Sequence, residues 1–181
     1  MIFTETILKG SYIIGLEPYI DERGWFARTW CKNEFEQVGH KAEWVQINHS
    51  FTKMKGTIRG LHYQLPPFSE IKLVRCISGT IFDVIVDLRK DSATFLQWFG
   101  TELSAANKKM LYIPEGFAHG FQTLDDDCEL IYHHSEFYSP GVEGGIRFND
   151  RAVNIKWPLP VTSISERDLN HPVLTEKFNG I

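Results

Sequence analysis

The chain has 181 residues, of which 43% are hydrophobic and 23% charged, and its formal net charge is −4. This length suits one domain with a substantial core, and this balance excludes a disordered chain. The 19 basic residues form no block, which argues against a nucleic-acid partner. Because no apolar run approaches the roughly 20 residues that cross a bilayer, we predict a single domain over residues 1–181 with no membrane partner.

The cysteines and the first residues of the chain indicate the compartment. Cys31, Cys76 and Cys128 are odd in number and far apart, which argues against a disulfide framework and against a cysteine zinc site. The first ten residues lack the basic start and apolar stretch of a signal peptide. We therefore expect a protein of a reducing compartment, the cytoplasm.

Short runs of strand-forming residues, separated by turn residues, follow one another along the chain. The predicted strands cover residues 12–17, 25–30, 43–50, 71–77, 81–88, 95–103, 109–113 and 129–134. Ser78 and Gly79 lie between two of these runs and predict a hairpin. Two short helices are predicted, one capped by Asn33 and ended by Gly39, the other following Ser165. Many short strands and few helices predict an all-β sandwich or barrel.

The run 81–88 has two different faces. Alternate apolar residues predict a core stripe on one face: Phe82, Val84, Val86 and Leu88. The other face carries Asp83 and Asp87, which predicts that it is solvated or lies against a polar cavity.

Two glycine-bounded motifs hold polar residues suited to chemistry. Residues 56–64 contain Arg59, His62 and Gln64, and residues 113–121 contain a Pro-x-Gly-x-x-His pattern that ends at His119. The pair resembles the two half-motifs of the cupin superfamily, whose fold is a double-stranded β-helix or jelly roll. Gln64 stands where metal-binding cupins have a second histidine, and two imidazoles with one amide are a poor ligand set for zinc or iron. We therefore expect no metal, which disfavours a metal-dependent cupin oxygenase.

A narrower resemblance covers most of the chain, from about residue 10 to residue 169. Collinear blocks at residues 45–50, 58–64, 72–74, 83–89, 113–121, 137–140, 157–158 and 165–169 resemble the dTDP-4-dehydrorhamnose 3,5-epimerase family. The resemblance implies a cofactor-independent isomerase that epimerises C3 and C5 of a nucleotide-linked 4-keto-6-deoxy sugar. Its expected place is dTDP-rhamnose synthesis for lipopolysaccharide O-antigen.

The chemistry of such a substrate sets what the site must contain. The C4 ketone acidifies the hydrogens at C3 and C5, so the enzyme needs a base on one side of the ring, an acid on the other and a cationic group at the ketone oxygen. By resemblance, His62 is the base, Asp168 orients it and Tyr132 is the proton donor. Lys72 matches the residue that stabilises the enolate oxygen.

Further positions match the family's substrate contacts or lie beside them. The predicted binding residues are Arg23, Phe26, Arg28, Gln46, Asn48, Arg59, His119, Tyr138, Glu143 and Arg167. Arginine suits a diphosphate because it forms bidentate hydrogen bonds, and the flat ring of Tyr138 suits stacking on the pyrimidine. The resemblance also implies a homodimer in which the segment around Arg23 reaches the neighbouring site.

One departure affects the choice of nucleotide. Arg28 stands where the family usually has glutamate, and Arg167 stands where it usually has lysine. Thymine presents an N3–H donor that a carboxylate accepts, whereas cytosine presents an N3 acceptor that arginine can meet. The alternatives that stay open are a CDP-linked substrate, epimerisation at C3 alone, a 3,4-ketoisomerase on the same fold, and a non-catalytic sugar-binding jelly roll.

Overall fold

A computed structural model describes all 181 residues. Thirteen strands dominate it: β1 Ile2–Glu5, β2 Tyr12–Gly15, β3 Tyr19–Asp21, β4 Gly24–Phe26, β5 Gln46–Thr52, β6 Ile58–Gln64, β7 Lys72–Ser78, β8 Thr80–Asp87, β9 Trp98–Ser104, β10 Lys109–Ile113, β11 Phe117–Thr123, β12 Cys128–His134 and β13 Glu143–Gly145. Two one-turn helices, α1 Lys32–Phe35 and α2 Glu166–Leu169, and a 3₁₀ turn at Glu36–Val38 complete the elements. No helix is long and apolar enough to cross a membrane.

The strands form two antiparallel sheets that lie face to face as a jelly roll. One sheet has six strands in the order β1-β2-β10-β7-β12-β5, and the other has five in the order β13-β6-β11-β8-β9. Strands β3 and β4 form a separate two-stranded hairpin. The predicted all-β jelly roll with a few short helices is confirmed.

A central apolar cluster fills the space between the sheets. It draws on both of them: Val74, Cys76, Leu111, Ile113 and Leu130 come from the six-stranded sheet, and Ile81, Ile85, Leu103, Phe117 and Phe121 come from the five-stranded sheet. Two smaller clusters cover the outer faces. Around α1, Phe35 packs on the six-stranded sheet, and the chain after residue 145 packs on the five-stranded one. Both faces of the central strands β8, β10 and β11 are therefore buried.

Strand β8 shows this double burial most clearly. Val84, Val86 and Leu88 join the outer cluster, with Phe82 against it, so the predicted core stripe is confirmed. Of the two settings predicted for the other face, solvated or against a polar cavity, the solvated one is wrong, because Asp83 and Asp87 are both 0% exposed. Asp87 accepts hydrogen bonds on both oxygens, whereas Asp83 has one partner, His119, and its Oδ2 has none.

The predicted hairpin at Ser78 and Gly79 is wrong. The turn exists, but β7 pairs with β10 and β12 in one sheet, while β8 pairs with β11 and β9 in the other. Gly79 has a φ of +71°, and a Cβ there would lie 2.7 Å from the Cys128 sulfur. The turn therefore carries the chain across the core from one sheet to the other.

The predicted helices differ in accuracy. The first begins at Lys32 after Cys31, so Asn33 is not its cap, although the left-handed Gly39 ends the segment as predicted. The second is confirmed: the Ser165 hydroxyl accepts a hydrogen bond from the Asp168 amide at 3.1 Å. This cap fixes the turn that carries Asp168.

Candidate active site

A cavity of about 620 Å³ opens between the two sheets. The four predicted catalytic residues line it, and so do seven predicted binding residues: Gln46, Asn48, Arg59, His119, Tyr138, Glu143 and Arg167. The six-stranded sheet contributes one wall through β5, β7 and β12, and the five-stranded sheet contributes the facing wall through β6, β11 and β13. The fold thus brings together residues that are more than 100 positions apart in the sequence.

His62 on β6 forms a tight pair with Asp168 on α2. Its Nε2 lies 2.7 Å from Asp168 Oδ1, and Asp168 Oδ2 accepts the Gly60 amide at 3.0 Å. Burial raises the pKa of Asp168, but the hydrogen bonds from His62 and Gly60 outweigh it and lower this pKa to about 2. Asp168 is therefore ionised and accepts from Nε2–H of His62, which leaves Nδ1 as the ring nitrogen that takes a proton when the imidazole acts as a base.

Gly60 makes this arrangement possible. Its φ is +108°, and a Cβ at this position would lie 2.7 Å from the backbone of His119 and Gly120 on β11. Only glycine tolerates both the backbone conformation and the close approach of the two strands. The pairing of β6 with β11 shifts register at this point, between His119 and Phe121.

Tyr132 lines the same cavity as His62 but belongs to the other wall. Its hydroxyl lies 3.0 Å from the Ser50 hydroxyl. The planes of the Tyr132 and His119 rings are inclined at 70° to each other, and the ring centroids are 6.3 Å apart. Burial raises the pKa of Tyr132 above its ordinary value near 10. The phenol is therefore protonated at neutral pH and able to donate.

His119 has its own carboxylate partner. Its Nε2 lies 2.6 Å from Oδ1 of the buried Asp83, an acid that the sequence analysis placed on a strand face without a role. The β11 strand was also not predicted, and only its motif pointed to His119.

Lys72 is held by a residue that the sequence analysis missed. Its Nζ lies 3.0 Å from one oxygen of Glu70, whose other oxygen lies 2.6 Å from Nδ1 of His134. His134 Nε2 in turn lies 3.3 Å from the amide nitrogen of Asn48. Glu70 and His134 line the cavity, but each is a single polar residue without a spacing pattern, so no motif pointed to them.

The opposite end of the cavity is built around Glu143. The Tyr138 hydroxyl donates to this carboxylate at 3.0 Å, and Arg167 pairs with it at 2.9 Å. The backbone amide of Tyr138 donates to the side-chain oxygen of Gln46 at 3.2 Å. An aromatic ring and a guanidinium group thus meet at one mouth, which suits a base and a phosphate.

Three predicted binding residues lie outside this cavity. Arg23 and Phe26 belong to the β3–β4 hairpin, where Arg23 pairs with Asp21 and Phe26 is 76% exposed. Arg28 follows the hairpin and pairs with Glu34 at 2.8 Å. Within one chain, the structure does not bring these residues to the site.

Two observations bear on metal binding. Gln64 uses both ends of its amide on the backbone, donating to Phe68 at 3.0 Å and accepting from Ser139 at 2.9 Å, so it is a structural residue. His62, Asp168 and His171 place ligand atoms within 4.8 Å of one another. However, two atoms bound to one zinc ion at about 2.1 Å lie roughly 3 Å or more apart. The 2.7 Å contact of His62 with Asp168 is a hydrogen bond and leaves no room for an ion between them.

His171 packs beside His62, with 5.6 Å between the ring centroids. Its Nε2 lies 3.6 Å from Asp168 Oδ1, and its ring packs where a Cβ on Gly145 would stand. Burial, with the neighbouring His62, lowers the pKa of His171. A neutral His171 leaves the Asp168 carboxylate to His62.

An oriented imidazole, a facing phenol and a buried ammonium in one jelly-roll cavity define an enzyme that moves protons beside a carbonyl group. Comparison with known proteins narrows this class. The sequence model of the dTDP-4-dehydrorhamnose 3,5-epimerase family matches residues 5–176. The chain belongs to this family.

Individual relatives agree along nearly the whole length. The dTDP-4-dehydrorhamnose 3,5-epimerase of Shigella flexneri is 49% identical over 161 residues, covering 87% of this chain and 88% of its own. The crystal structure of the Elizabethkingia anophelis enzyme of the same name matches with a TM-score of 0.94 at 40% identity, over 98% of both chains. The Legionella pneumophila dTDP-6-deoxy-D-glucose-3,5-epimerase, solved in complex with dTDP-4-keto-L-rhamnose, matches with a TM-score of 0.90 at 37% identity, over 95% and 92% of the chains.

Proposed function

We propose that this protein converts dTDP-4-dehydro-6-deoxy-D-glucose to dTDP-4-dehydro-L-rhamnose by inverting C3 and C5. The observation that carries the proposal is the placement of His62 with Asp168 on one wall of the cavity and Tyr132 on the facing wall. An epimerase needs this arrangement, because the proton leaves one face of the sugar and returns to the other.

His62 starts each inversion. Its free Nδ1 takes the proton next to the ketone, the C–H electron pair forms a C=C bond with C4, and the carbonyl electrons move to the oxygen. The Asp168 carboxylate stabilises the imidazolium that results. The Lys72 ammonium stabilises the enolate oxygen, where the negative charge develops.

Tyr132 completes the inversion. Its O–H bond breaks and a new C–H bond forms on the opposite face of the ring, which restores the ketone. The phenolate then regains a proton and the imidazolium loses one, so the enzyme returns to its starting state. The same two residues act at C3 and at C5, since both carbons adjoin C4.

The nucleotide and the second subunit belong to the same proposal. Arg59 and Arg167 on the cavity wall suit the diphosphate, and Tyr138 suits the thymine ring. A homodimer supplies Arg23 from its neighbour, which accounts for a hairpin whose Tyr19, Ile20 and Phe26 are each more than 70% exposed. The cytoplasmic location expected from the sequence stays a prediction.

Proton NMR in D₂O tests the function, with the dTDP sugar and its CDP analogue in parallel. We expect the C3–H and C5–H signals of the dTDP sugar to disappear. Loss of C3–H alone would establish a 3-epimerase. Exchange with the CDP sugar alone would make Arg28 the residue that selects the base, and the Arg28→Glu variant should then restore dTDP preference. No exchange with either sugar would contradict the proposal.

A further inference from the structure

A continuous polar chain runs along the six-stranded wall from Lys72 to the nucleotide end. Glu70 bridges Lys72 and His134, at 3.0 Å and 2.6 Å. His134 contacts Asn48 at 3.3 Å, and the Asn48 side-chain oxygen accepts from Gln46 at 3.1 Å. The Gln46 oxygen then accepts the Tyr138 amide. No part of the mechanism above uses Glu70 or His134.

The donor and the acceptor of each hydrogen bond in this polar series follow from the groups at its two ends, the Glu70 carboxylate and the Tyr138 backbone amide. Burial raises the pKa of Glu70, but His134 and Lys72 outweigh it and hold this pKa below its ordinary value. The ionised carboxylate only accepts, so His134 donates from Nδ1–H and its Nε2 accepts from the Asn48 amide nitrogen. Asn48 consequently presents its oxygen to Gln46, and the orientation of both amides is fixed.

His134 has few other charged or titratable neighbours. The Tyr132 ring stacks on it at 6.2 Å between centroids, with Lys72 on the adjacent strand. His133, next along β12, packs against Trp44 on the opposite face of the sheet. Glu70 is therefore the group that determines which imidazole nitrogen carries the proton.

We propose that Glu70 and His134 are positioning residues, Glu70 for the Lys72 ammonium at the ketone and His134 for the Asn48 and Gln46 amides at the sugar. This inference rests on the proposed epimerase function. Loss of Glu70 then acts on the transition state, where the enolate charge forms, and loss of His134 acts on substrate binding.

The Glu70→Gln variant tests the first half. A glutamine cannot accept from Lys72 and His134 together without turning a donor toward one of them. We expect kcat for C3–H exchange to fall by about 10- to 100-fold with KM changed by no more than about threefold. The matched control is Glu129→Gln: Glu129 on β12 also pairs with a histidine, His49 on β5, at 2.8 Å, but outside the cavity. It should leave both constants unchanged.

A double-mutant cycle separates positioning from a general structural effect. If Glu70 acts through Lys72, then Glu70→Gln adds no further loss of kcat in a Lys72→Ala background. Additive losses would overturn the assignment, and so would a Glu70→Gln variant that behaves like Glu129→Gln.

His134 is tested by two replacements, which also serve if the Glu70 variant does not fold. His134→Gln keeps one donor and one acceptor, and should stay within about twofold of wild type. His134→Leu keeps bulk but removes both, and should raise KM by about five- to tenfold with kcat nearly unchanged. Equal effects of the two replacements would overturn the role of His134. Wild-type protein that exchanges neither C3–H nor C5–H would overturn the proposed function and this inference with it, whereas normal wild-type exchange with unchanged variants overturns the inference alone.

Discussion

His62 and His119 are register partners on neighbouring strands, and each binds a buried aspartate of its own, Asp168 at 2.7 Å and Asp83 at 2.6 Å. The two imidazoles differ in access: the His62 side chain is 34% exposed and that of His119 is 7% exposed. The open ring can reach a substrate carbon, while the closed one lies beside Tyr132. The structure therefore distinguishes two histidines that occupy similar motifs.

Asp168→Asn should reduce turnover far more than binding. An amide no longer stabilises the imidazolium and can present a donor to Nε2–H, so we expect kcat to fall by about 100- to 10,000-fold. Stopped assays at a saturating concentration of the dTDP sugar measure kcat. Asp150→Asn is the control: Asp150 is also buried and accepts two backbone amides, but it lies outside the cavity. A loss of less than tenfold for Asp168→Asn would count against His62 as the base.

Tyr132→Phe should separate exchange from inversion. His62 can still remove the proton and return a deuteron to the same face, so the C3–H signal disappears while the configuration is retained. The rate of epimer formation, followed by the NMR coupling constants that identify the epimer, should fall by at least 100-fold. Tyr112→Phe removes another buried phenol, hydrogen-bonded to His40 away from the cavity, and should have no such effect. Normal epimer formation by Tyr132→Phe would assign the acid elsewhere.

Mixed dimers should show whether Arg23 serves the neighbouring site. Arg23→Glu and His62→Ala are each expected to be nearly inactive alone. When the two are co-expressed, half of the randomly paired dimers are mixed and each has one intact site, so about a quarter of wild-type activity should return. His62→Ala with Asp168→Asn should restore nothing, because both changes damage the site of their own chain. Absence of rescue in the first mixture would place Arg23 in its own subunit's site or in none.

Asp87 should make stability depend on pH in the acid range. Burial raises the pKa of Asp87, but hydrogen bonds from Arg89, Ser92 and Thr94 outweigh it and lower this pKa from 3.8 to about 2. The folded state thus favours the ionised form, so the stabilisation is complete above pH 4 and is lost as pH falls toward 2. It amounts to about 2 kcal/mol at neutral pH.

Urea unfolding of Asp87→Asn measures this contribution. We expect a loss of about 2 kcal/mol at pH 7 and a much smaller difference from wild type at pH 2 to 3. Asp91→Asn, in the same loop but exposed, is the control. An equal deficit at both pH values would show that shape, and not charge, stabilises this loop.

The sequence predicted the β-rich fold because strand signals are local. It did not predict β6 and β11 as strands, since glycine, histidine and glutamine dilute their strand-forming residues and pairing with neighbouring strands decides their structure instead. The Ser78 and Gly79 turn predicted a hairpin wrongly for a related reason. A turn signal marks where the chain reverses, but only the core determines whether the two strands pair or separate.

The candidate site shows the same difference between residues that local patterns predict and residues whose role only the fold determines. Eleven of the fourteen predicted site residues line one cavity, and nine of them lie in the motifs whose spacing carried the resemblance, Tyr132 and Glu143 being the exceptions. Glu70, His134 and His171 were missed because their roles come from partners brought close only by the fold. Arg23, Phe26 and Arg28 lie on and just beyond a hairpin that the structure of one chain does not bring to the cavity.

Because the proposed base His62 and the proposed acid Tyr132 stand on different sheets, the distance between them depends on the apolar cluster that separates those sheets. Substitutions such as Val74→Ala or Ile85→Val would alter this gap without removing any polar group. We expect such substitutions to change the ratio of exchange at C3 to exchange at C5, which proton NMR in D₂O measures. Engineering of this scaffold toward new sugar isomers would accordingly begin with substitutions in the apolar cluster between the sheets.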